Sequence, residues 1–222
     1  PAQAAFRPPS RLTDAFGRTI TYLRLSVTDR CNLRCQYCMG SDVKFLPKSE
    51  VLSLEEMERL CAAFIRLGVR KLRLTGGEPL LRPGVIGLIE RLGTRVATGE
   101  LDELTLTTNG TLLAEHATAL AGAGVRRVNV SLDTLDAATF RQITQREALA
   151  DVLAGIHAAR AAGLAVRINI VALAGVGDAE YDRMIRWCGS HGCDIALIEL
   201  MPFGNNESSL YQPLDPVRTR LA

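Results

Sequence analysis

Short apolar or β-branched runs alternate with longer stretches of helical periodicity from residue 22 to about residue 200. Six runs are predicted to be strands, at 22–28, 69–74, 101–107, 125–131, 164–171 and 194–200. A helix is predicted from Leu54 to near Gly68, with Ser53 and Glu56 as its capping box. Further helices are predicted near 83–92, 112–121, 148–161 and 178–190. Six strand–helix units in series predict a parallel α/β sheet with right-handed crossovers.

The two faces of the predicted strands favour a barrel over an open doubly wound sheet. In the first strand Leu23 and Leu25 share one face while Arg24 lies on the other, and the fifth strand places Arg167 opposite Val166. Strands covered by helices on both sides would be apolar on both faces. The recurring polar face therefore predicts a wide barrel around a polar ligand. Because six units are fewer than the eight of a TIM barrel, we expect an incomplete (β/α)6 TIM-like barrel with a side opening.

The chain is predicted to contain three segments. Residues 1–20, which contain Pro and Arg, resemble an N-terminal arm, residues 21–205 form the partial barrel, and residues 206–222 begin a C-terminal region. Since the first residue is not Met and no natural end is evident, we expect a fragment of a longer chain or a divergent paralogue.

Composition and charge exclude several classes of protein. With 222 residues, 47% apolar and 23% charged, the chain is expected to bury a substantial core. Its net charge of +2 is spread along the sequence, so neither a nucleic-acid-binding surface nor a basic membrane patch is predicted. No apolar run approaches the ~18 residues of a membrane span, and no secretory signal is present. We therefore expect a cytoplasmic protein with reduced cysteines and no membrane partner.

Three of the six cysteines cluster on the loop after the first predicted strand. Cys31, Cys35 and Cys38 can wrap a soft metal centre, and three ligands leave one coordination position open. A structural zinc site would need a fourth ligand, and the histidines are distant in sequence. An iron–sulfur cluster with one iron lacking a protein ligand is therefore favoured, with zinc or coincidental core thiols as the alternatives.

A Gly-Gly-Glu-Pro turn follows the second predicted strand. Gly76 and Gly77 would let the backbone approach a ligand without a Cβ clash, and Glu78 before Pro79 supplies a carboxylate on a stiffened turn. On its own, such a turn more often marks a place where a strand simply passes into a helix, and the preceding cysteine loop is what favours a ligand here.

Arginines on the inward face of the predicted barrel suggest an anionic substrate. These lumen arginines are Arg24, Arg73 and Arg167. A buried guanidinium is costly unless it meets an anion, so they predict a phosphate-bearing substrate. The alternative is that they pair with Glu78, Glu199 or Asp133. Arg126 and Arg127 lie at the entrance of a strand, away from the expected chemistry, and are expected to be solvated.

Several motifs resemble a known family. The Cys-x-x-x-Cys-x-x-Cys spacing at 31–38, with Tyr37 before the last cysteine, and the Gly-Gly-Glu-Pro turn at 76–79 resemble the radical S-adenosylmethionine enzymes. Within that superfamily, the segments 23–32, 106–110 and 128–133 resemble the molybdenum cofactor biosynthesis protein A family, the GTP 3′,8-cyclases. The likeness covers residues from about 14 to 205.

The resemblance implies a cofactor set and a reaction. Cys31, Cys35 and Cys38 would carry a [4Fe-4S] cluster whose open iron binds S-adenosylmethionine. One-electron cleavage would give a 5′-deoxyadenosyl radical that takes hydrogen from the GTP ribose. The product would be (8S)-3′,8-cyclo-7,8-dihydroguanosine 5′-triphosphate, so the enzyme would be a lyase of molybdopterin biosynthesis. Its implied partners are GTP, a one-electron donor and cyclic pyranopterin monophosphate synthase as the next enzyme, and a homodimer is compatible.

The resemblance also implies roles for individual residues. The backbone around Gly77 and Glu78 would hold the methionine moiety of S-adenosylmethionine. The rest of that cofactor site would consist of Ser131 and Asn169, with Tyr37 and Met201 bracketing the adenine. The positions that would contact GTP are Arg24, Arg73, Thr107 and Arg167.

Three departures from the family pattern leave alternatives open. Arg167 stands where the family has a substrate-binding lysine, and Ala196 stands where an arginine is expected. The family also holds a second [4Fe-4S] cluster on three C-terminal cysteines that this sequence lacks, so the chain by itself is compatible with an inactive form. The alternatives are a divergent radical enzyme with another substrate and a metal-stapled binding module without catalysis.

Overall fold

Six parallel strands form one sheet in the computed structural model, which describes residues 11–39, 43–201 and 208–221. The strands are β1 (Tyr22–Ser26), β2 (Lys71–Thr75), β3 (Glu103–Thr108), β4 (Arg127–Ser131), β5 (Ala165–Ala172) and β6 (Asp194–Glu199). They follow one another in chain order, and the edge strands β1 and β6 do not pair with each other in the described part of the chain. The predicted incomplete (β/α)6 barrel is therefore confirmed.

Helices cover the convex face of this sheet. They are α1 (Leu54–Arg66), α2 (Val85–Ala97), α3 (Leu113–Gly122), α4 (Ala137–Thr144), α5 (Leu149–Ala161), α6 (Asp178–Ser190) and α7 (Asp215–Leu221). Short 3-10 turns occupy Lys48–Glu50, Pro79–Leu81 and Ser208–Leu210. The predicted capping box is present at the start of α1, where Ser53 and Glu56 bond each other's backbone N–H groups. None of the described helices has the length and apolar character needed to cross a bilayer.

α4 was not predicted from the sequence, and α2 extends five residues beyond its predicted end at residue 92. α4 has only 8 residues, too few for a clear periodic signal. It begins after Asp136, whose side chain accepts the backbone N–H of Thr139, and it buries Phe140. Its last carbonyls support the cysteine loop, because Ile143 and Thr144 accept backbone N–H bonds from residues 36 and 34 over 3.0 and 2.9 Å.

The alternation of strand residues divides the sheet into a buried face and a polar face. The buried face packs under the helices and includes Leu72, Leu74, Val128, Val130, Ile168 and Ile170, each at most 1% exposed. The opposite, concave face carries the polar side chains of the same strands. In the register of the sheet Arg24 is the Cα partner of Arg73, and Asn129 is the partner of Arg167. The predicted polar lumen is therefore assembled.

The described parts of the two predicted terminal segments contact the barrel. Thr13 and Thr19 form an antiparallel bridge, and the backbone N–H of Leu12 donates to the carbonyl of Leu67 just after α1. Residues 1–10 of the predicted arm lie outside the described residues. In the C-terminal segment, Leu173 and Tyr211 form a bridge beyond β5, and residues 206, 207 and 222 lie outside the described residues.

Candidate active site

The three cysteines lie on the loop after β1, at the carboxyl end of the sheet. Cys31 and Cys35 are half-buried, whereas Cys38 is exposed. The backbone N–H of Cys38 donates to the carbonyl of Cys35 over 2.9 Å, which closes a turn between them. Burial raises the pKa of the Cys35 thiol to about 12, and negative charge at Asp133 and on the other two thiols acts in the same direction. The three thiols therefore repel one another when ionised, and a cationic metal centre would stabilise them as thiolates.

The chemistry of this donor set fits an iron–sulfur cluster. Thiolates are the ligands that such clusters use, and three of them leave one iron open to another ligand. Within the described ranges, no three His, Cys, Asp or Glu side chains are arranged to hold a single metal ion. In a [4Fe-4S] cluster each cysteine ligand binds a different iron, so the three thiols need not converge on one ion.

The glycine pair after β2 packs against residues 28–30, the backbone that leads into the cysteine loop. The backbone N–H of Gly77 donates to the carbonyl of Thr28 over 2.8 Å, and that of Glu78 donates to Arg30 over 2.7 Å. A Cβ on Gly77 would overlap the Arg30 carbonyl oxygen, and one on Gly76 would lie 2.6 Å from the Thr28 carbonyl oxygen. We expected the pair to admit a ligand, but the close approach seen in the structure is to protein backbone just before Cys31.

The carboxylate of Glu78 ties two loops together. It is fully buried and accepts the Thr108 hydroxyl over 2.8 Å, together with the backbone N–H groups of Asn109 over 2.7 Å and Leu80 over 3.0 Å. Burial raises the pKa of this carboxyl despite those bonds. Its oxygens are thus occupied by the protein, and the side chain joins the turn after β2 to the loop after β3.

Two asparagines, to which the sequence analysis gave no role, hold the cysteine loop against the loop after β3. The Nδ2 of Asn109 donates to Asn32 Oδ1 over 2.8 Å and lies 3.7 Å from the Sγ of Cys31. Asn32 in turn donates to the hydroxyl of Thr111 over 2.9 Å. Both asparagines are short polar residues in loops at the carboxyl ends of strands, which was the available signal.

Tyr37 is held by a buried carboxylate that was also not predicted as a site residue. Its hydroxyl donates to Asp133 Oδ2 over 2.8 Å, and the other oxygen of Asp133 accepts the backbone N–H of Val171 over 2.8 Å. Burial raises the pKa of Asp133 to about 6, while the two hydrogen bonds act against that rise. Burial also raises the pKa of Tyr37, and the nearby Asp133 carboxylate adds to the effect.

The remaining residues predicted to bind S-adenosylmethionine lie around the same rim. Ser131 and Asn169 are register partners on β4 and β5, and both are half-buried. Met201 lies two residues beyond the end of β6 and is 58% exposed. Its neighbour Leu200 packs in a small apolar cluster that also contacts Tyr37. The carboxyl ends of β4, β5 and β6 thus share a rim with the cysteine loop.

Deeper in the lumen, two predicted substrate residues have buried donors without a partner among the described residues, and a third has only a long hydrogen bond. The hydroxyl of Thr107 and the Nε of Arg167 are buried and have no hydrogen-bond partner among the described residues. Arg167 lies 3.5 Å from Asp194, an exposed and long ion pair. The Nε of Arg73 donates to the Thr105 hydroxyl over 3.4 Å, at the limit of a hydrogen bond. An anion in the lumen would satisfy these groups.

The lumen arginines do not pair with Glu78, Glu199 or Asp133, which was the alternative to binding an anion. Glu78 and Asp133 are engaged as described above. Glu199 accepts the hydroxyl of Tyr211 and the backbone N–H of Leu214. Glu78 and Asp133 lie just beyond the ends of β2 and β4, and Glu199 is the last residue of β6, so the acids bond to groups at the rim and not to the arginines lower on the polar face.

Two expectations about arginines were wrong. Arg24 was expected to be buried, but it is exposed because it lies on the edge strand β1 beside the open side of the barrel. Arg127 was expected to be solvated, but it is half-buried, pairs with Glu103 over 2.8 Å and leaves its Nε without a partner among the described residues. It lies beside Thr105 in the register and so joins the polar face.

Comparison with known proteins shows close relatives over nearly the whole chain. It is 55% identical over 226 aligned positions to the GTP 3′,8-cyclase of Rhodopseudomonas palustris (strain TIE-1), covering 99% of this chain and 66% of that protein. It is 56% identical to the GTP 3′,8-cyclase of Bradyrhizobium diazoefficiens, covering 96% of this chain and 63% of that protein. The chain thus spans just under two thirds of the length of these curated relatives.

Solved structures share the fold at low sequence identity. Streptococcus suis SuiB bound to S-adenosylmethionine superposes with a TM-score of 0.74 at 17% identity, covering 90% of this chain and 45% of that chain. Methylornithine synthase (PylB) gives a TM-score of 0.66 at 15% identity, covering 85% of this chain and 56% of that chain. The family model for the radical SAM superfamily matches residues 25–188, from β1 into α6. Because that match takes in the cysteine loop, the Gly-Gly-Glu-Pro turn and most of the sheet, the chain belongs to the radical SAM superfamily.

Proposed function

We propose that this chain is the radical-generating domain of a GTP 3′,8-cyclase, the enzyme that converts GTP to (8S)-3′,8-cyclo-7,8-dihydroguanosine 5′-triphosphate in molybdenum cofactor biosynthesis. The observation that carries the proposal is the identity of about 55% to proteins of that name over almost the whole chain. Since the chain spans less than two thirds of those relatives, cyclisation is proposed for the whole protein, and radical generation and phosphate binding for this part of it.

In this proposal, Cys31, Cys35 and Cys38 hold a [4Fe-4S] cluster. When bound, that cluster supplies an electron to the sulfonium of S-adenosylmethionine, whose cleavage yields a radical able to take hydrogen from a C–H bond. The protein's own contribution is to position the substrate and the cofactor and to exclude water from the site. The hydrogen bonds from Gly77 and Glu78 to the backbone of residues 28 and 30 fix the position of the chain where the cysteine loop begins.

The rim beside the cysteine loop is the proposed S-adenosylmethionine site. The backbone N–H groups of Gly77 and Glu78 are bonded to Thr28 and Arg30, so the carbonyl of Gly77 is the group of this turn proposed for the methionine end. Ser131 and Asn169 offer side chains from neighbouring strands. Tyr37 and Met201 provide apolar surface for the adenine. The bond from Tyr37 to the buried Asp133 supports this role, because it holds the ring in one orientation.

The polar lumen is the proposed GTP site. Arg24, Arg73, Arg167 and Thr107 supply donors that suit a triphosphate, and arginine binds phosphate oxygens through paired N–H groups. The unsatisfied Nε of Arg167 and hydroxyl of Thr107 support this role. Because Ala196 offers no charge at a position where the family has an arginine, a different anionic substrate is the second candidate function.

The proposal extends to partners and compartment. A one-electron donor would reduce the cluster, and cyclic pyranopterin monophosphate synthase would use the product of the whole protein. A reducing compartment, the cytoplasm, suits a chain whose six cysteines are all free. A homodimer is compatible with the proposal.

Anaerobic reconstitution tests the proposal. With iron and sulfide the protein should turn brown, and with dithionite and S-adenosylmethionine it should release 5′-deoxyadenosine. Changing Cys31, Cys35 or Cys38 to Ala should abolish release, because each change removes a ligand. Cys193→Ala is the matched control and should leave both cluster and release intact, since that thiol lies just before β6, at the end of the strand away from the cysteine loop. A colourless protein that binds stoichiometric zinc would support the metal-stapled module instead.

A further inference from the structure

We propose that Asn109 is a positioning residue that donates a hydrogen bond to the thiolate of Cys31 and thereby raises the reduction potential of the cluster held there. The inference rests on the proposed function, because it requires the cluster on Cys31, Cys35 and Cys38. It concerns a residue on the loop after β3, outside the cysteine loop itself.

The orientation of the Asn109 amide follows from its partners. Its Oδ1 accepts the backbone N–H of Thr111 over 3.0 Å, and a backbone N–H can only donate. The hydroxyl of Thr111 donates to the same oxygen over 2.7 Å. The oxygen is therefore committed to Thr111, and the NH2 group must point the other way, toward the cysteine loop.

The two hydrogens of that NH2 group have two separate acceptors. One is directed to Asn32 Oδ1 at 2.8 Å and the other to Cys31 Sγ at 3.7 Å, a normal distance for a hydrogen bond to sulfur. The bond from Asn32 to the Thr111 hydroxyl closes a ring of three side chains. The ring links the two loops, while the direction of the amide toward the sulfur is set by the backbone N–H of Thr111 and by the acceptor on Asn32.

Two further features strengthen the contact with Cys31. Asn109 is only 9% exposed, so little water competes for its donor, and its backbone N–H is fixed by the buried carboxylate of Glu78. The backbone N–H of Leu33 also donates to Cys31 Sγ, over 3.4 Å. Cys31 thus receives one donor from its own loop and one from a distant loop.

The sign of the effect follows from charge. A thiolate ligand that accepts hydrogen bonds gives less electron density to its iron, and adding an electron to the cluster then costs less. The donor stabilises the reduced cluster more than the oxidised one, because the reduced form carries the additional negative charge. Removing the donor should therefore lower the midpoint potential.

Three variants separate this effect from simple damage to the loop. Asn109→Ser keeps an oxygen that can accept the Thr111 N–H in the same turn, but its side chain is too short to reach Cys31. Asn109→Asp keeps the shape and replaces the donor by an acceptor with negative charge. Thr111→Val is the matched control, because it breaks the side-chain ring while retaining the backbone N–H that orients Asn109.

The measurement is the midpoint potential of the reconstituted cluster in an anaerobic titration followed by electron paramagnetic resonance. We expect the potential to fall in Asn109→Ser and further in Asn109→Asp, and to stay at the wild-type value in Thr111→Val. The Fe–S stretching frequency in resonance Raman spectra should rise in Asn109→Ser, since the Fe–S bond to Cys31 strengthens. A purely structural role would lower iron content without moving the potential.

The outcomes distinguish this inference from the function on which it rests. A wild-type protein that holds no cluster overturns both. A wild-type cluster that cleaves S-adenosylmethionine, with Asn109→Ser at the wild-type potential, overturns only the role of Asn109. A shift in Asn109→Asp alone also overturns it, because added charge would then be the cause. Should Asn109→Ser fail to retain the cluster, Asn109→Asp at the wild-type potential would overturn it.

Discussion

At the scale of single residues, the buried polar groups around the cysteine loop bond to protein rather than pointing into open space. Glu78 joins two loops, Asp133 joins Tyr37 to β5, and Asn109 joins the loop after β3 to Cys31. Burying a polar group without such partners would cost several kcal/mol, of the order of 2–7. These residues therefore shape the site by fixing its loops.

Asp133 should make the stability of the cluster-free protein depend on pH. Its pKa is raised to about 6 by burial, so at neutral pH the folded protein must keep an ionised carboxylate out of water. That penalty is on the order of 3 kcal/mol above the folded pKa, and it disappears as pH falls from about 6 toward the ordinary value of the carboxyl. Asp133→Asn should therefore raise the free energy of unfolding at pH 7.5 and have little effect at pH 4.

Urea denaturation at several pH values measures this effect. Asparagine can still accept the Val171 N–H and can donate to the Tyr37 hydroxyl, so the packing should survive. Asp151→Asn, a change of an exposed carboxyl at the start of α5, is the control and should not reproduce the pH-dependent gain. Equal effects of Asp133→Asn at both pH values would show that the buried charge is not the cause.

At the scale of elements, the site depends on loops that contact one another at the carboxyl ends of the strands. The turn after β2 bonds to residues 28–30, the loop after β3 bonds to Asn32, and the end of α4 bonds to residues 34 and 36. The cysteine loop is thus supported by three neighbouring elements. Its shape is a property of their packing as much as of its own sequence.

Gly77 and Gly87 form a matched pair for testing that packing. Gly77→Ala should destabilise the protein by about 1–3 kcal/mol and reduce cluster content, because the new Cβ would overlap the Arg30 carbonyl. Gly87 lies inside α2, where a Cβ would meet only the end of the Arg91 side chain at 3.4 Å. Gly87→Ala should stabilise by about 0.5–1 kcal/mol. Urea denaturation and iron analysis measure both, and equal behaviour of the two variants would contradict the proposed contact.

Sequence periodicity predicted the strands well because the alternation of apolar and polar residues is contained within each strand. β6 begins and β4 ends where the alternation predicted, and α6 has the predicted bounds. α4 could not be found this way, since a two-turn helix is stabilised mainly by what it packs against. Its burial of Phe140 depends on the rest of the fold.

At the scale of the whole molecule, the strands bring arginines from different parts of the chain to one polar face. Arg24 and Arg73 are register partners on β1 and β2, although they are 49 positions apart in sequence. Arg127 and Arg167 extend the same face on β4 and β5. Arg24 is exposed at the open side of the sheet, so we expect an anion to enter the lumen from that side.

Binding of GTP should depend on this face. Isothermal calorimetry with the cluster-loaded protein should show affinity reduced by about tenfold or more in Arg24→Ala and in Arg73→Ala, since a lost bond to a charged group costs about 1.5–3 kcal/mol. Arg126→Ala is the control, because Arg126 is exposed just before β4 and lies outside the polar face. If both lumen variants bind GTP as the wild type does, a radical enzyme with another substrate becomes the better assignment.

The sequence by itself determined the alternation of strands and helices, the polar face of the sheet, and the clustering of three cysteines on one loop. These follow from residues close together in the chain, whose chemistry and spacing act locally. Only the tertiary structure decided which groups meet across loops. Tyr37 and Asp133 are 96 residues apart, and Asn32 and Asn109 are 77 apart. No local pattern encodes such pairs, because each depends on the register of the entire sheet.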